Sequence, residues 1–171
     1  MVYDFDANLK DLKHFQQEVI LSPAHWSGFA PPAPLDWRFV RFNAANQPQI
    51  PEERGIYAFV VQFQDHSALP LRLPPHGYIM YAGITGHVGP ERTLRMRYGD
   101  YLRDQRRAKR LSIYSMLNKW SEHLFFHYSI VPQAAALDQL ETALNDAVIP
   151  PYVTNDFSAE IRALVRVLRA N

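Results

Sequence analysis

Two short runs set the strongest limit on what this chain can fold into. Gly55–Phe63 (GIYAFVVQF) and Gly77–Gly83 (GYIMYAG) are dense in aromatic and β-branched residues, the enrichment expected of strands. Pro70, Pro74 and Pro75 punctuate the segment between them, which reads as a loop. The two runs are therefore expected to pair antiparallel. A third run, His123–Val131 (HLFFHYSIV), has the same character.

Helical spacing accounts for most of the rest. Asp6 or Asn8 is placed to cap a first helix with Leu9, Leu12, Phe15 and Val19 on one stripe, ending before Pro23. Pro90 and Glu91 suit a helix N-terminus, and a basic helix is expected from Glu91 to Arg107. Ser112 starts a shorter one with Ile113, Met116, Leu117 and Trp120 apolar. Ala134 to Val148 carries Leu137, Leu140, Leu144 and Val148 on one face and is ended by Pro150-Pro151. Ser158 can cap a last helix through Leu168, with Arg162, Arg166 and Arg169 on one face. Ser22 to Pro51 is rich in proline and aromatics, including Pro31, Pro32, Pro34, Trp26 and Trp37. It reads as an ordered loop wrapped over the core, with a short strand at Arg38–Phe42 and the tryptophans as packing anchors.

This order implies an α+β fold: a small three-stranded, mostly antiparallel sheet flanked by helices, preceded by an N-terminal helix and the proline- and aromatic-rich extension. Three parts are expected: the extension (residues 1–53), a core (54–157) and a C-terminal helix packed on it (158–171). At 171 residues the chain is long enough for a real hydrophobic core. It has no cysteine, which excludes disulfides, thiolate metal sites and cysteine nucleophiles. No apolar run approaches a membrane span and no signal pattern follows Met1, so a cytoplasmic protein with no membrane partner is expected. Dinucleotide, P-loop, HExxH, GxSxG and EF-hand motifs are all missing from the sequence.

Charge is unevenly spread. Arg92, Arg95, Arg97, Arg103, Arg106, Arg107, Lys109 and Arg110 stand against only Asp100 and Asp104, a local +6 in a chain of net +1. Such a stretch fits a phosphate-binding surface, or a solvated helix face that happens to be basic.

Five elements then occur in a fixed order: Gly55-Ile56-Tyr57 opening a strand, Tyr81-Ala82-Gly83 closing the next, Arg97 with Tyr101 one turn later on a helix, Glu141 inside a later helix, and Asn155 shortly after a double proline. Over residues 54–157 this order resembles the GIY-YIG nuclease family. The resemblance implies an endonuclease that hydrolyses DNA, or RNA, with one Mg²⁺ or Mn²⁺ ion. Glu141 would be the sole protein carboxylate on the metal. Arg97 would contact the scissile phosphate, where its planar donor fork matches developing charge. Tyr57 would stand nearest the attacking water as base or proton relay, its pKa lowered by the metal and Arg97. Tyr81 would orient phosphate or water, Tyr101 would share the face of Arg97, and Asn155 would tie its loop to the site. Arg92, Arg95, Arg103, Arg106, Arg107, Lys109 and Arg110 would bind the nucleic-acid backbone.

The chain departs from the family pattern in places. Residues 58–80 make a longer spacer between the two tyrosines than the family's usual one, Ala82 replaces an isoleucine or valine, and no lysine follows Gly83. Binding without cleavage, or docking of a partner through residues 22–51, are the competing readings. Specificity would come from the 64–76 loop, the N-terminal segment, a second copy or a partner protein. Of the histidines, His123 and His127 share a strand face and are read as structural; His76 and His87 flank the second strand.

Overall fold

The computed structural model describes residues 5–31, 34–63, 76–86, 92–132 and 137–170. Pro32, Pro70, Pro74, Pro75, His87, Pro90, Glu91 and residues 134–136 lie outside them, and so do the expectations attached to them. Helices α1 (Phe5–Phe15) and α2 (Pro23–Gly28) lead to strand β1 (Arg38–Arg41) and a 3-10 helix (Ala44–Gln49). Strands β2 (Gly55–Phe63) and β3 (His76–Thr85) follow, then helices α3 (Leu94–Asp104) and α4 (Leu111–Lys119). Strand β4 (Leu124–Ile130) and helices α5 (Leu137–Val148) and α6 (Ala159–Arg169) complete the order.

The fold is α+β, and the sheet has four strands rather than three, in the order β1-β4-β2-β3 with every pair antiparallel. The added strand is the Arg38–Arg41 segment of the extension, which pairs Phe39 with His127 and Val40 with Phe126. Its reason is plain. β4 bonds to β2 on one side only, and a strand with a free edge beside an apolar face is covered when a neighbour can present Val40 and Phe42 to the same core. The β2–β3 pairing is as expected, with Tyr57 opposite Gly83 and one register shift at Phe59/Val60. Gly55 allows β2 to sit against β4, because a Cβ there would lie 2.2 Å from the Ser129 carbonyl oxygen.

Strand alternation sorts the sheet into two faces. One carries Tyr57, Phe59, Val61, Phe126 and Tyr128 and is covered by Leu94, Tyr98, Tyr101 and Leu102 of α3 and Ile113, Met116 and Leu117 of α4. Aromatic edges fill it: Phe42–Phe59, Tyr98–Phe126 and Phe59–Phe126 centroids are 5.0, 5.0 and 5.3 Å apart. The other face carries Ile56, Ala58, Val60, Ala82 and Ile84 beneath Leu137, Leu140 and Leu144 of α5. Each buried leucine there stabilises the helix on the sheet by about 1.5–3 kcal/mol.

Several boundaries differ from expectation. α1 ends at Phe15, so Val19 lies beyond it. α3 begins at Leu94 because the Thr93 side chain accepts from the Met96 N–H, a cap more direct than a proline and a glutamate upstream. Ser158 caps α6 as expected, accepting from the Ile161 N–H. Trp26 and Trp37 are 44% and 37% exposed rather than buried anchors; Trp120 is the tryptophan in the core. No helix among the described residues is long and apolar enough to cross a membrane.

Candidate active site

Tyr57 stands near the start of β2 on the face covered by α3, and its side chain is fully buried. Space for its phenol comes from the strand opposite. A Cβ on Gly83 would lie 2.6 Å from Tyr57 Oη, so only glycine leaves room for the hydroxyl. Arg97 Nε donates to Tyr57 Oη at 2.9 Å, and Tyr57 Oη lies 2.9 Å from Tyr101 Oη. Arg97 and Tyr101 reach one point because they stand a single turn apart on α3. The Tyr81 ring stacks on Tyr57 at 6.5 Å and meets Tyr101 edge-on at 6.0 Å. Tyr101 lies between two guanidinium groups, with Arg97 and Arg110 Cζ at 5.3 and 5.1 Å from its ring centroid. Four sequence-selected residues from β2, β3 and α3 thus converge.

Burial pushes the Tyr57 phenol far above its ordinary range. Tyr81 adds to the rise, while Arg97 and the Tyr101 hydrogen bond only partly oppose it. Burial does the same to Tyr101. Of the metal and Arg97 expected to lower the Tyr57 pKa together, Arg97 by itself does not suffice: desolvation outweighs that one cation. The geometry of Tyr57 makes it a support for Arg97, whose side chain is 25% exposed and reaches solvent where Tyr57 does not.

Glu141 approaches from the opposite face of the sheet, on α5. Burial raises its pKa to about 7, helped by the charge of Asp156 and Asp138 and opposed by a hydrogen bond from the Ile84 backbone and by the charge of Arg97. β3 is an edge strand, and Glu141 occupies an outward backbone donor of that edge. The charge of Arg97 is the smallest of these influences on Glu141.

Asn155 does not make the expected tie. It is exposed and forms no hydrogen bond to another described residue. The loop is held by other groups: the Tyr152 N–H donates to the Met80 carbonyl at 3.0 Å and the Ser158 N–H to Asp146 Oδ1 at 3.0 Å. Arg169 adds bonds to the Val153 and Pro150 carbonyls at 2.6 and 2.9 Å. The backbone already anchored at both ends leaves Asn155 free to face water.

The basic stretch divides into two groups. Arg95 is structural: it donates to the Ile50 carbonyl at 2.7 Å and the Pro48 carbonyl at 3.1 Å and pairs with Glu52, so its donors brace the 3-10 helix rather than a phosphate. Arg103, Arg107, Lys109 and Arg110 line an open groove with Arg97, Asp100 and Asp104. Within it, Asp100 pairs with Arg103, lies 3.0 Å from Arg92 and 3.9 Å from Arg97, and Asp104 holds Arg110. Arg106, Arg107 and Lys109 are exposed beyond these pairs. The i, i+3 spacing of Asp100 to Arg97 and Arg103 was legible in the sequence; nothing there marked Asp156 as the neighbour of Glu141.

His127 is structural: its ring stacks on Phe39 at 5.0 Å and its Nε2 accepts from Gln62 Nε2 at 2.7 Å. Among the described residues, no three histidine or carboxylate side chains converge on one cation position. What is present suits a hard cation held by one carboxylate, with water and substrate oxygens completing its shell: Glu141 is costly to ionise in its part-buried setting beside Asp156, and a nearby dication offsets that cost. No family model, curated protein or solved structure matches the chain.

Proposed function

We propose that this protein is an endonuclease that hydrolyses phosphodiester bonds in DNA with a divalent cation, in the manner of the GIY-YIG nucleases its motifs resemble. One observation carries the reading: Tyr57, Tyr81, Arg97 and Tyr101, chosen from separate motifs of the sequence, meet in one cluster. Hydrolysis of a phosphodiester needs an attacking water, positive charge on the phosphoryl oxygens and an exit for the leaving oxygen.

Arg97 supplies fixed positive charge at the phosphate, held in place by the Tyr57 hydroxyl below it. Tyr81, part-buried at the sheet edge, is the phenol best placed to orient substrate or water. Glu141 would hold Mg²⁺ or Mn²⁺, which when bound contributes charge at the phosphoryl oxygens and acidifies a water. Arg103, Arg106, Arg107, Lys109 and Arg110 track the backbone, with Arg92 released from Asp100 as phosphate arrives.

The test uses the purified protein with single-stranded, duplex and branched DNA and with RNA, in Mg²⁺ or EDTA, beside Glu141→Ala and Arg97→Ala. Cleavage that requires the cation, Glu141 and Arg97 is expected, and the best-cut substrate identifies the class. Salt-sensitive binding with no cleavage of any substrate would replace this reading with that of a nucleic-acid-binding module.

A further inference from the structure

Asn145 stands one helical turn beyond Glu141 on α5 and is completely buried. Neither its Nδ2 nor its Oδ1 has a hydrogen-bond partner among the described residues. An interior amide in this state is unusual, since buried polar groups are paired with protein or with ordered water. Its backbone is ordinary: the Asn145 carbonyl accepts the Ile149 N–H in the last turn of the helix. The side chain is what lacks an explanation.

Two fixed points locate the amide. Glu141 takes a hydrogen bond from the Ile84 backbone. Val148 and Ile149, two turns later, line a cavity with Tyr78 and Ile79. α5 therefore runs antiparallel along the edge strand β3, and Asn145 falls between these points, level with Tyr81 and Ala82. Glu141, Asn145 and Ile149 form an i, i+4, i+8 stripe, so the amide lies on the side of the helix that carries Glu141. Outward backbone groups alternate along an edge strand. An outward Ile84 N–H makes Ala82 the next residue with outward groups, beside Asn145.

We propose that Asn145 is a positioning residue whose amide, with the outward backbone of Ala82, holds one ordered water that hydrogen-bonds to the Glu141 carboxylate and sets its orientation. Such a site offers the water three polar partners in an otherwise apolar setting, the usual number for a buried water. Glu141 then has each oxygen directed, one by the Ile84 backbone and one by the water. The role in turnover rests on the endonuclease reading; the water itself does not.

Two measurements test this. In solution NMR, the Asn145 side-chain amide protons of the wild type are expected to show cross-relaxation to a long-lived water, and Asn145→Leu to shift the Glu141 side-chain carboxyl ¹³C resonance. In steady-state cleavage, Asn145→Leu is expected to lower kcat at least tenfold with KM within threefold and with a Tm no lower than that of the wild type. Asn145→Ser, which keeps a hydrogen-bonding group, should recover most of that loss. Absence of the water signal overturns the proposal, as does an Asn145→Leu protein that keeps its kcat. If the wild type cuts none of the four substrates, the endonuclease reading falls alone, and the water signal with the Glu141 shift still decides the role of Asn145.

Discussion

The chemistry of this chain turns on how individual side chains are charged. Glu141 is held part-buried with its pKa raised to about 7, against an ordinary 4.5. Between those values the folded state binds the more protons, so this group makes stability fall as pH rises from 4.5 to about 7 and leaves a constant penalty above. Glu141→Gln keeps an acceptor for the Ile84 backbone without the charge. It should raise stability at pH 8 by roughly 1–2 kcal/mol, after discounting for partial exposure, while abolishing cleavage; urea midpoints at pH 8 and an endpoint cleavage assay check both. A drop in the midpoint would show that the carboxylate is satisfied as an ion. Gly83 is the second decisive residue. Gly83→Ala places a methyl 2.6 Å from Tyr57 Oη and 2.9 Å from its Cζ, inside a packed ring cluster with no free direction to move. Loss of the Arg97–Tyr57 bond should lower kcat more than tenfold, and overpacking should cost about 1–3 kcal/mol in unfolding free energy. Ile149 is strained in a different way: its φ of 43° is rare for a β-branched residue, and it turns the chain sharply after α5 into the Pro150-Pro151 corner.

Elements carry the site by where they end and what they flank. β2 and β3 deliver Tyr57 and Tyr81 to one face, while α5 delivers Glu141 past the outer edge of β3. α6 contributes Ile161 and Val165 to the apolar group on which Tyr81 packs, and braces the loop behind it through Arg162 to the Phe157 carbonyl and Arg169 to the Val153 and Pro150 carbonyls. β1 and β4 are joined on their other face by the Phe39–His127 stack. Burial lowers the His127 pKa to about 4 from 6.5, so between these values the unfolded chain binds the more protons. The contribution is complete above pH 6.5 and is lost as pH falls towards 4, a slope opposite to that of Glu141. His127→Gln, which cannot be protonated in this range, should therefore flatten the acid limb of stability between pH 6.5 and 4. Urea titrations at half-unit intervals resolve this, and an unchanged limb would mean that the ring is not desolvated.

At the scale of the whole molecule, the extension is part of the fold. β1 completes the sheet, Phe42 and Ile50 are buried in the core, and Tyr98 Oη donates to the Asn43 carbonyl at 2.8 Å. Removing residues 1–50 would strip β4 of a neighbour and open the aromatic core. The truncated chain should lose cooperative thermal unfolding and near-ultraviolet dichroism; a folded, cooperative product would instead support a detachable docking segment. Charge is organised on the same scale. The basic groove opens beside Arg97, so a polyanion bound along it passes the candidate site.

Read alone, the sequence determined the α+β class, the segments of all four strands and the course of five helices, and the residues of the tyrosine–arginine cluster were picked out by a motif order that resembles a known family. The elements are legible because period, β-branched runs, prolines and a capping serine act over a few residues. Tertiary structure decided the rest. It joined the short RFVR strand to the sheet as a fourth member, because its ladder partners lie 84 to 90 positions away in β4. Burial by distant elements pushed the pKa values of Tyr57 and Glu141 up. Competing anchors left Asn155 in water, and Glu52 with the Pro48 and Ile50 carbonyls took Arg95 from the groove. Desolvation and pairing are properties of neighbours brought together by the fold, and a local pattern does not encode which neighbours those will be.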